Sequence, residues 1–307
     1  MPNEKEIVNK EGLGVDALEL PELKAMNVDV DVLRLDKIHP VISGNKWYKL
    51  KYFLAEARSR QCTTLISFGG AFSNHIIATA CAAGMLQLKS VGIIRGETPR
   101  RLSHTLHQAK DYGMELIFSS RLEYPRYEKE KSEELLKQYP GSLIIPEGGA
   151  GPNGVKGSAE ILDLTAGEFY KHVFCAVGTG TTFMGLSNAA QAGQTVIGIR
   201  VLKGYPVIPD GNKLLLSSSL QNDHHRIIND YHFGGYAKKN PELFQFMNSF
   251  YARTGIRTDF VYTGKLFYAA LDLIQRKIFP DKSKMLIIHS GGLQGTNSLP
   301  KGTLNFN

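Results

Sequence analysis

Long apolar runs are missing from this 307-residue sequence. No stretch approaches the roughly 20 consecutive apolar residues that a membrane-spanning helix needs. The first residues, 1–6, are charged and lack the apolar core of a secretion signal. We therefore expect a cytoplasmic protein that does not use a membrane as a partner.

Cysteine is scarce, and the three residues present, Cys62, Cys81 and Cys175, have no metal-type spacing. An odd count without such spacing is typical of reduced thiols, so we predict small core side chains here. A second group, Asp223-His224-His225 with His232, fits no familiar zinc spacing. We expect a solvated helix or loop around it and no metal site.

Runs of five or more basic residues are also absent, although the formal net charge is +7. Dispersed lysine and arginine do not make the basic stripe of a nucleic-acid-binding protein. A nucleic-acid partner is therefore not expected. The positive charge instead favours small anionic substrates or a phosphate-bearing cofactor.

Short strand patterns and helix patterns alternate along almost the whole chain. Strands are predicted at 28–32, 64–68, 91–94, 114–118, 143–145, 172–177, 196–200 and 285–288. Helices are predicted from Lys46 onward and at 73–83, 99–112, 129–138, 157–164, 183–192, 241–253 and 265–276. This alternation indicates an α/β fold with parallel-type sheets covered by helices. The glycine-rich segment 146–154 is either a crossing between lobes or a loop over the site.

Lys46 lies on a Gly-Asn turn directly before an amphipathic helix. The apolar residues of that helix recur at i, i+3, i+4 and i+7: Leu50, Phe53, Leu54 and Ala57. A helix N-terminus offers backbone N–H groups to an anion, and a lysine beside it can form a Schiff base with a phosphorylated aldehyde. A solvated lysine is the alternative interpretation.

Three further segments combine a strand end, a small polar turn and, in two cases, a helix start. Ser73, Asn74 and His75 follow Gly69-Gly70 and are suited to a substrate carboxylate; Ser73 is also a plain N-cap candidate. Thr179-Gly180-Thr181-Thr182 could cradle a phosphate, or form a tight loop. Ser290 offers a hydroxyl where the final strand ends. Ligands of open α/β sheets bind at such carboxyl ends.

With these segments in place, the sequence resembles the fold-type II (tryptophan synthase β-like) pyridoxal phosphate enzymes. Within them it is similar to the family of 1-aminocyclopropane-1-carboxylate (ACC) deaminase and D-cysteine desulfhydrase, from about Val32 to Leu293. The resemblance implies the cofactor pyridoxal 5′-phosphate, a small amino-acid substrate and a homodimer. It also implies a small lobe over 47–152 and a large cofactor-binding lobe formed by 1–46 with 153–307.

The resemblance assigns roles to individual side chains. It implies that Lys46 holds the cofactor, that Lys49 helps to hold its phosphate, and that Asn74 meets the pyridine ring's hydroxyl. It implies catalytic roles for Lys46, Tyr262 and Ser73. Further cofactor-binding residues are expected at Thr179, Gly180, Thr181, Thr182, Thr263 and Ser290. The expected substrate-binding residues are Ser73, Asn74, His75, Tyr236 and Tyr262.

The sequence departs from the family pattern at several places, which leaves the substrate open. Leu33-Arg34-Leu35-Asp36 stands where a Lys-Arg-Glu-Asp motif is usual, Phe72 replaces a glutamine, and Ser43 replaces a glycine. The aromatic pocket around Tyr236 matches only loosely.

Two positions favour one reaction over the other. Thr263 and Ser290 are hydroxyl residues, as in desulfhydrases, where ACC deaminases have glutamate and leucine. A neutral group beside the pyridine nitrogen leaves a weaker electron sink, which suffices for β-elimination to a 2-oxo acid and ammonia. ACC deamination is the alternative. A non-catalytic amino-acid or pyridoxal phosphate-binding protein, and a nucleotide-binding regulator, are alternatives of other classes.

Overall fold

A computed structural model of the chain describes residues 7–8, 12–204 and 225–306. Its strands are β1 (Val15–Ala17), β2 (Asp29–Leu33), β3 (Thr64–Gly70), β4 (Lys89–Arg95), β5 (Met114–Ser119), β6 (Ser142–Ile145), β7 (His172–Val177), β8 (Thr195–Arg200), β9 (His225–Ile228) and β10 (Lys284–Ile288). Its α-helices are α1 (Pro21–Ala25), α2 (Asn45–Ser59), α3 (Asn74–Met85), α4 (His104–Asp111), α5 (Tyr124–Lys129), α6 (Ser132–Gln138), α7 (Pro152–Ala159), α8 (Thr181–Ala189), α9 (Pro241–Thr254) and α10 (Thr263–Gln275). Within these residues no helix has the length and apolar character to cross a membrane.

The strands form two sheets. The larger sheet has the order β1-β2-β10-β7-β8-β9, in which only the β1–β2 pair is antiparallel. The smaller sheet has the order β5-β4-β3-β6 and is parallel throughout. The prediction of an α/β fold with parallel sheets covered by helices is confirmed.

The central strands are apolar along nearly their whole length because helices cover both faces of each sheet. Every residue of β3 except Gly70 is buried, and so is every residue of β10 except Lys284. Parallel sheets have such continuous apolar strands. In β2 the alternation predicted from the sequence is present, with Val30 and Val32 buried and Asp29 exposed.

One buried cluster draws on both sheets. It contains Leu65 and Ile145 from the smaller sheet, Val173 and Leu286 from the larger sheet, and Trp47 from α2. Because Trp47 packs in this cluster, α2, the helix that follows the lysine turn, is held between the two sheets. All three cysteines are free and buried.

Three local predictions differ from the structure. The helix predicted over 99–112 begins only at His104, because the Ser103 side chain caps it by accepting a hydrogen bond from Leu106 N. The helix predicted over 157–164 is instead α7, which starts at Pro152. His225 was expected in a solvated helix or loop, but it begins β9, which pairs with β8. Asp223 and His224 lie outside the described residues.

The strands of the smaller sheet all fall between Thr64 and Ile145, inside the segment 47–152 assigned to a small lobe. The boundaries of the two lobes themselves stay a prediction. The helix starts of α2, α3, α8 and α10 lie close together, next to the loops that follow β3, β7 and β10. That meeting point is where a ligand site of an open α/β sheet is expected.

Candidate active site

The lysine turn lies against the loop after β10. Gly44 has φ +66°, and a Cβ at this position would lie 1.8 Å from the Ser290 carbonyl oxygen, so only glycine permits the approach. Asn45 N donates to the same carbonyl at 3.3 Å, and Asn45 Nδ2 donates to Thr182 Oγ1 at 2.8 Å. Lys46 Nζ donates to Asn45 Oδ1 at 2.6 Å. The turn therefore joins the lysine to the threonine loop.

A cavity of about 80 Å³ lies at this point, between the two sheets. Its wall combines the lysine turn, the start of α3, the glycine-rich segment, the threonine loop and the loop after β10. It is lined by Asn45, Lys46, Lys49, Ser73, Asn74, His75, Glu147, Gly148, Ala176, Gly178, Thr179, Gly180, Thr182, Tyr262, Ser290, Gly291 and Gly292.

The basic groups of the cavity are poorly solvated. Burial lowers the pKa of the Lys46 amine to about 8, although the charge of Asp259 opposes this effect. Burial, and next the charge of Lys46, hold the pKa of Lys49 well below its usual value. A lysine with a lowered pKa has a larger neutral fraction near neutral pH, and only the neutral amine can attack a carbonyl.

On the smaller-sheet side, Ser73 is the N-cap of α3, as predicted. Its hydroxyl oxygen accepts from His75 N and Ile76 N, both at 3.3 Å. Asn74 Oδ1 is buried without a hydrogen-bond partner. Neither ring nitrogen of His75 has a hydrogen bond of regular geometry. Three polar side chains at the start of a helix thus face the cavity, and two of them have unused hydrogen-bonding capacity.

Burial lowers the pKa of His75 to about 3, with smaller contributions from the charges of Lys49 and Lys46 and an opposing one from the Pro146 carbonyl. The imidazole is therefore neutral at physiological pH.

The threonine loop starts α8. Gly180 adopts φ +83°, which allows the sharp entry into the helix, and the first-turn N–H groups of a helix have no acceptor within it. Thr179 and Thr182 line the cavity. Thr181 is buried outside the lining, with its hydroxyl 3.3 Å from Thr179 Oγ1. A Cβ on Gly148 would come within 2.7 Å of Thr179 Oγ1, so the glycine-rich segment packs directly over this loop.

The remaining predicted residues lie at different depths. Tyr262 and Ser290 line the cavity, and Gly178 leaves room for the Tyr262 ring, since a Cβ there would be 3.1 Å from Cε1. Thr263 is fully buried behind the wall, and its hydroxyl donates to Asp259 Oδ1 at 2.8 Å. Tyr236 is 37% exposed and is outside the cavity lining.

Asp259 is the site-adjacent residue that the sequence interpretation missed. It precedes α10 and accepts hydrogen bonds from three backbone N–H groups. The signal was present in the sequence as an aspartate three residues before Tyr262, because aspartate is a common helix-capping residue. Among the residues that the structure describes, no group of three or more His, Cys, Asp or Glu could hold a metal ion.

The site fits the cofactor that the resemblance implies. The buried Lys46 amine suits an aldehyde, and the start of α8 with its hydroxyls suits a phosphate. The unpartnered Asn74 Oδ1 needs a hydrogen-bond donor, which the hydroxyl of a pyridoxal ring can supply. Glycine at 178, 291 and 292 leaves space for a planar ring beside the wall.

Comparisons with known proteins agree with this fit. The family model "Pyridoxal-phosphate dependent enzyme" matches residues 14–291. A putative ACC deaminase of Pyrococcus abyssi is 33% identical over 298 residues, covering 90% of this chain and 88% of the relative. A D-cysteine desulfhydrase of Yersinia pestis is 27% identical, covering 85% and 86%. A solved structure of an ACC deaminase homologue is 29% identical, with a TM-score of 0.77 over 92% of this chain and 90% of that chain. The chain belongs to the pyridoxal-phosphate dependent enzymes of fold type II, and its cofactor is pyridoxal 5′-phosphate.

Proposed function

We propose that the enzyme catalyses β-elimination on a small amino acid of the D-cysteine type, releasing sulfide, a 2-oxo acid and ammonia. The observation that carries this choice is the pair of hydroxyl side chains at Thr263 and Ser290, where an ACC deaminase is expected to have glutamate and leucine. Ser290 lines the cavity. The Yersinia pestis relative, a D-cysteine desulfhydrase, supports the same choice.

In this proposal the cofactor is held by both sides of the cavity and supplies an electron sink when bound. Lys46 is its covalent attachment point. Lys49 and the hydroxyls of Thr179 and Thr182 hold the phosphate. Thr181 does not line the cavity, and its proposed role is to position the Thr179 hydroxyl by hydrogen bonding to it. Asn74 holds the ring from the side of α3.

Proton transfer is assigned to Lys46, whose amine would be free for it once the substrate amine has replaced it on the cofactor. An amine with a pKa of about 8 is neutral often enough near pH 7 to take the α-proton of the substrate, unlike an ordinary lysine. The substrate carboxylate is assigned to the start of α3, where the side chains of Ser73, Asn74 and His75 line the cavity and the helix dipole favours an anion. Tyr262, on the opposite wall, positions the reacting groups. Tyr236 stays in the proposed substrate-binding set, although it lies outside the cavity lining.

ACC deamination is the second candidate. It is favoured by the Pyrococcus abyssi relative, a putative ACC deaminase that is more similar to this chain than the desulfhydrase is. The two candidates share the fold and most of the proposed site, so only the products separate them.

The test is to supply the purified, pyridoxal phosphate-loaded protein with D-cysteine, L-cysteine and ACC in parallel. We expect sulfide, ammonia and a 2-oxo acid from D-cysteine, and no 2-oxobutanoate from ACC. The Lys46→Ala variant serves as the inactive control, and Lys51→Ala, on the same helix but paired with Glu160, serves as the matched active control. Formation of 2-oxobutanoate from ACC without sulfide from D-cysteine contradicts the proposal.

We also propose a homodimer located in the cytoplasm. The homodimer is implied by the resemblance, and light scattering of the purified protein tests it. The three free, buried cysteines support a reducing compartment.

A further inference from the structure

Asp259 is a fully buried carboxylate directly outside the cavity wall. Its two oxygens accept from Val261 N at 2.8 Å, Tyr262 N at 3.0 Å, Thr263 N at 2.8 Å and Thr263 Oγ1 at 2.8 Å. Four donors therefore satisfy both oxygens of this buried carboxylate. The same bonds build the first turn of α10, which presents Tyr262 to the cavity.

The proton of the Thr263 hydroxyl is committed to this carboxylate. Thr263 Oγ1 accepts from Asp259 N at 2.8 Å and donates to Asp259 Oδ1 at 2.8 Å. A hydroxyl group has a single proton, so this oxygen can offer any third partner only a lone pair. Thr263 is therefore still a neutral hydroxyl, but its proton is held by the neighbouring carboxylate.

The Asp259 carboxylate lies directly behind the cavity wall at Gly292. Gly292 lines the cavity, and a Cβ built on it would lie 3.7 Å from Asp259 Oδ1 and 2.8 Å from Asn74 Nδ2. The charge of Asp259 acts on two buried lysines, and in both it opposes the effect of burial. One is Lys46. The other is Lys265, whose amine donates to the carbonyls of Val201 and Gly235 at 3.1 and 2.8 Å.

We infer that Asp259 is a positioning residue of this site, which holds the first turn of α10 and provides the buried counter-charge to Lys46. The catalytic importance of this counter-charge rests on the proposed function, which assigns cofactor attachment and proton transfer to Lys46. The other charged or titratable groups that line the cavity with Lys46 are Lys49 on the same helix, His75, Glu147 and Tyr262. Asp259 does not line the cavity. It lies behind Gly292 of the cavity wall, and its charge acts on Lys46 from there.

The first test uses Asp259→Asn in the full chain freed of cofactor. Trace labelling with acetic anhydride across a pH series, read by mass spectrometry of the peptide containing Lys46, reports the pKa of that amine. We expect the pKa to fall, and a fall of one unit from about 8 raises the neutral fraction of the amine, and with it the labelling at pH 7, about fivefold. Asp272→Asn is the matched control, because Asp272 is on the same helix but bonds Tyr231 and Arg276 instead. Unchanged labelling in a folded Asp259→Asn protein overturns the inference.

A second variant covers the case in which Asp259→Asn does not fold. Thr263→Val removes the one side-chain donor to the carboxylate and leaves its charge in place. Without the Thr263 hydroxyl bond, the Asp259 carboxylate is less screened and should attract the Lys46 proton more strongly. The pKa of Lys46 is therefore expected to rise, whereas in Asp259→Asn it is expected to fall. A pKa that is lowered or unchanged in Thr263→Val contradicts the counter-charge role.

A third readout uses the loaded protein and its visible absorbance as a function of pH. We expect the titration of the lysine-bound chromophore to shift to lower pH in Asp259→Asn and to stay near the wild-type position in Asp259→Glu, which keeps the charge. Equal shifts in the two variants would contradict a charge effect. None of these measurements requires turnover, so a failure of the β-elimination proposal leaves them interpretable, and their failure leaves the product assay intact.

Discussion

Three basic side chains share a cavity of about 80 Å³, and each has a lowered pKa because burial removes it from water. Lys46 and Lys49 also repel each other electrostatically. Such a site binds an anion well, since a phosphate both neutralises the cations and uses the start of α8. At the residue scale, therefore, burial lowers the pKa values of these basic groups when no ligand is bound, and it also favours the binding of a phosphorylated ligand.

Burial of His75 should make the free energy of unfolding depend on pH, and this dependence can be measured. The pKa of His75 is about 3 in the folded protein and 6.5 for the unperturbed group, so between these values the unfolded chain binds a proton that the folded protein does not. The free energy of unfolding therefore falls as pH drops from 6.5 toward 3, by at most about 1.4 kcal/mol per pH unit from this residue. We expect His75→Gln to remove this dependence, as measured by urea unfolding at pH 7, 6 and 5.

The matched control for that measurement is His107→Gln, because His107 is exposed on α4. Curves for wild type and His75→Gln that stay parallel over this pH range would contradict the assignment.

At the element scale, helix starts carry most of the proposed site, and they differ in whether the contact that stabilises them can be predicted from the sequence. The side chains of Ser73 and Asn240 cap α3 and α9 by accepting hydrogen bonds from N–H groups of the first helical turn. The sequence predicts both helices within about two residues of their observed starts. The starts of α2 and α10 are also predicted within two residues, at Lys46 and Lys265. Their stabilising contacts are not: Gly44, the N-cap of α2, packs against Ser290 from the far end of the chain, and the Asp259 cap of α10 was missed.

Ser73 and Asn240 also separate capping from catalysis. Replacing either residue by alanine removes one N-cap and is expected to lower the free energy of unfolding by about 1 kcal/mol. Ser73→Ala should in addition raise KM for the amino-acid substrate, because Ser73 lines the cavity, whereas Asn240 is not part of its lining. Thermal unfolding and steady-state kinetics of both variants check this. Equal kcat/KM values in the two variants would assign Ser73 a purely structural role.

At the scale of the whole molecule, the alternation of strands and helices predicts parallel sheets, but it does not predict which strands pair. β10 lies between β2 and β7, although most of the chain separates it from β2 and about a third of the chain separates it from β7. This order brings the loop after β10 against the lysine turn and places Ser290 in the same cavity as Lys46. The residue types of the site were readable from the sequence, whereas their adjacency depends on long-range strand pairing.

The cavity is lined by residues that follow strands of both sheets, so the cofactor should stabilise the molecule as a whole. Lys46 and Thr182 approach it from the larger sheet, and Asn74 and His75 from the smaller one. A ligand that binds only the folded chain stabilises it by about 4 kcal/mol when its free concentration is 1,000 times Kd. We expect removal of pyridoxal phosphate to lower Tm, and its readdition to restore Tm in a concentration-dependent way. Pyridoxal without the phosphate should restore less at equal concentration, because Lys49 and the threonine loop then have no partner. Equal recovery with both compounds would show that these residues do not hold a phosphate.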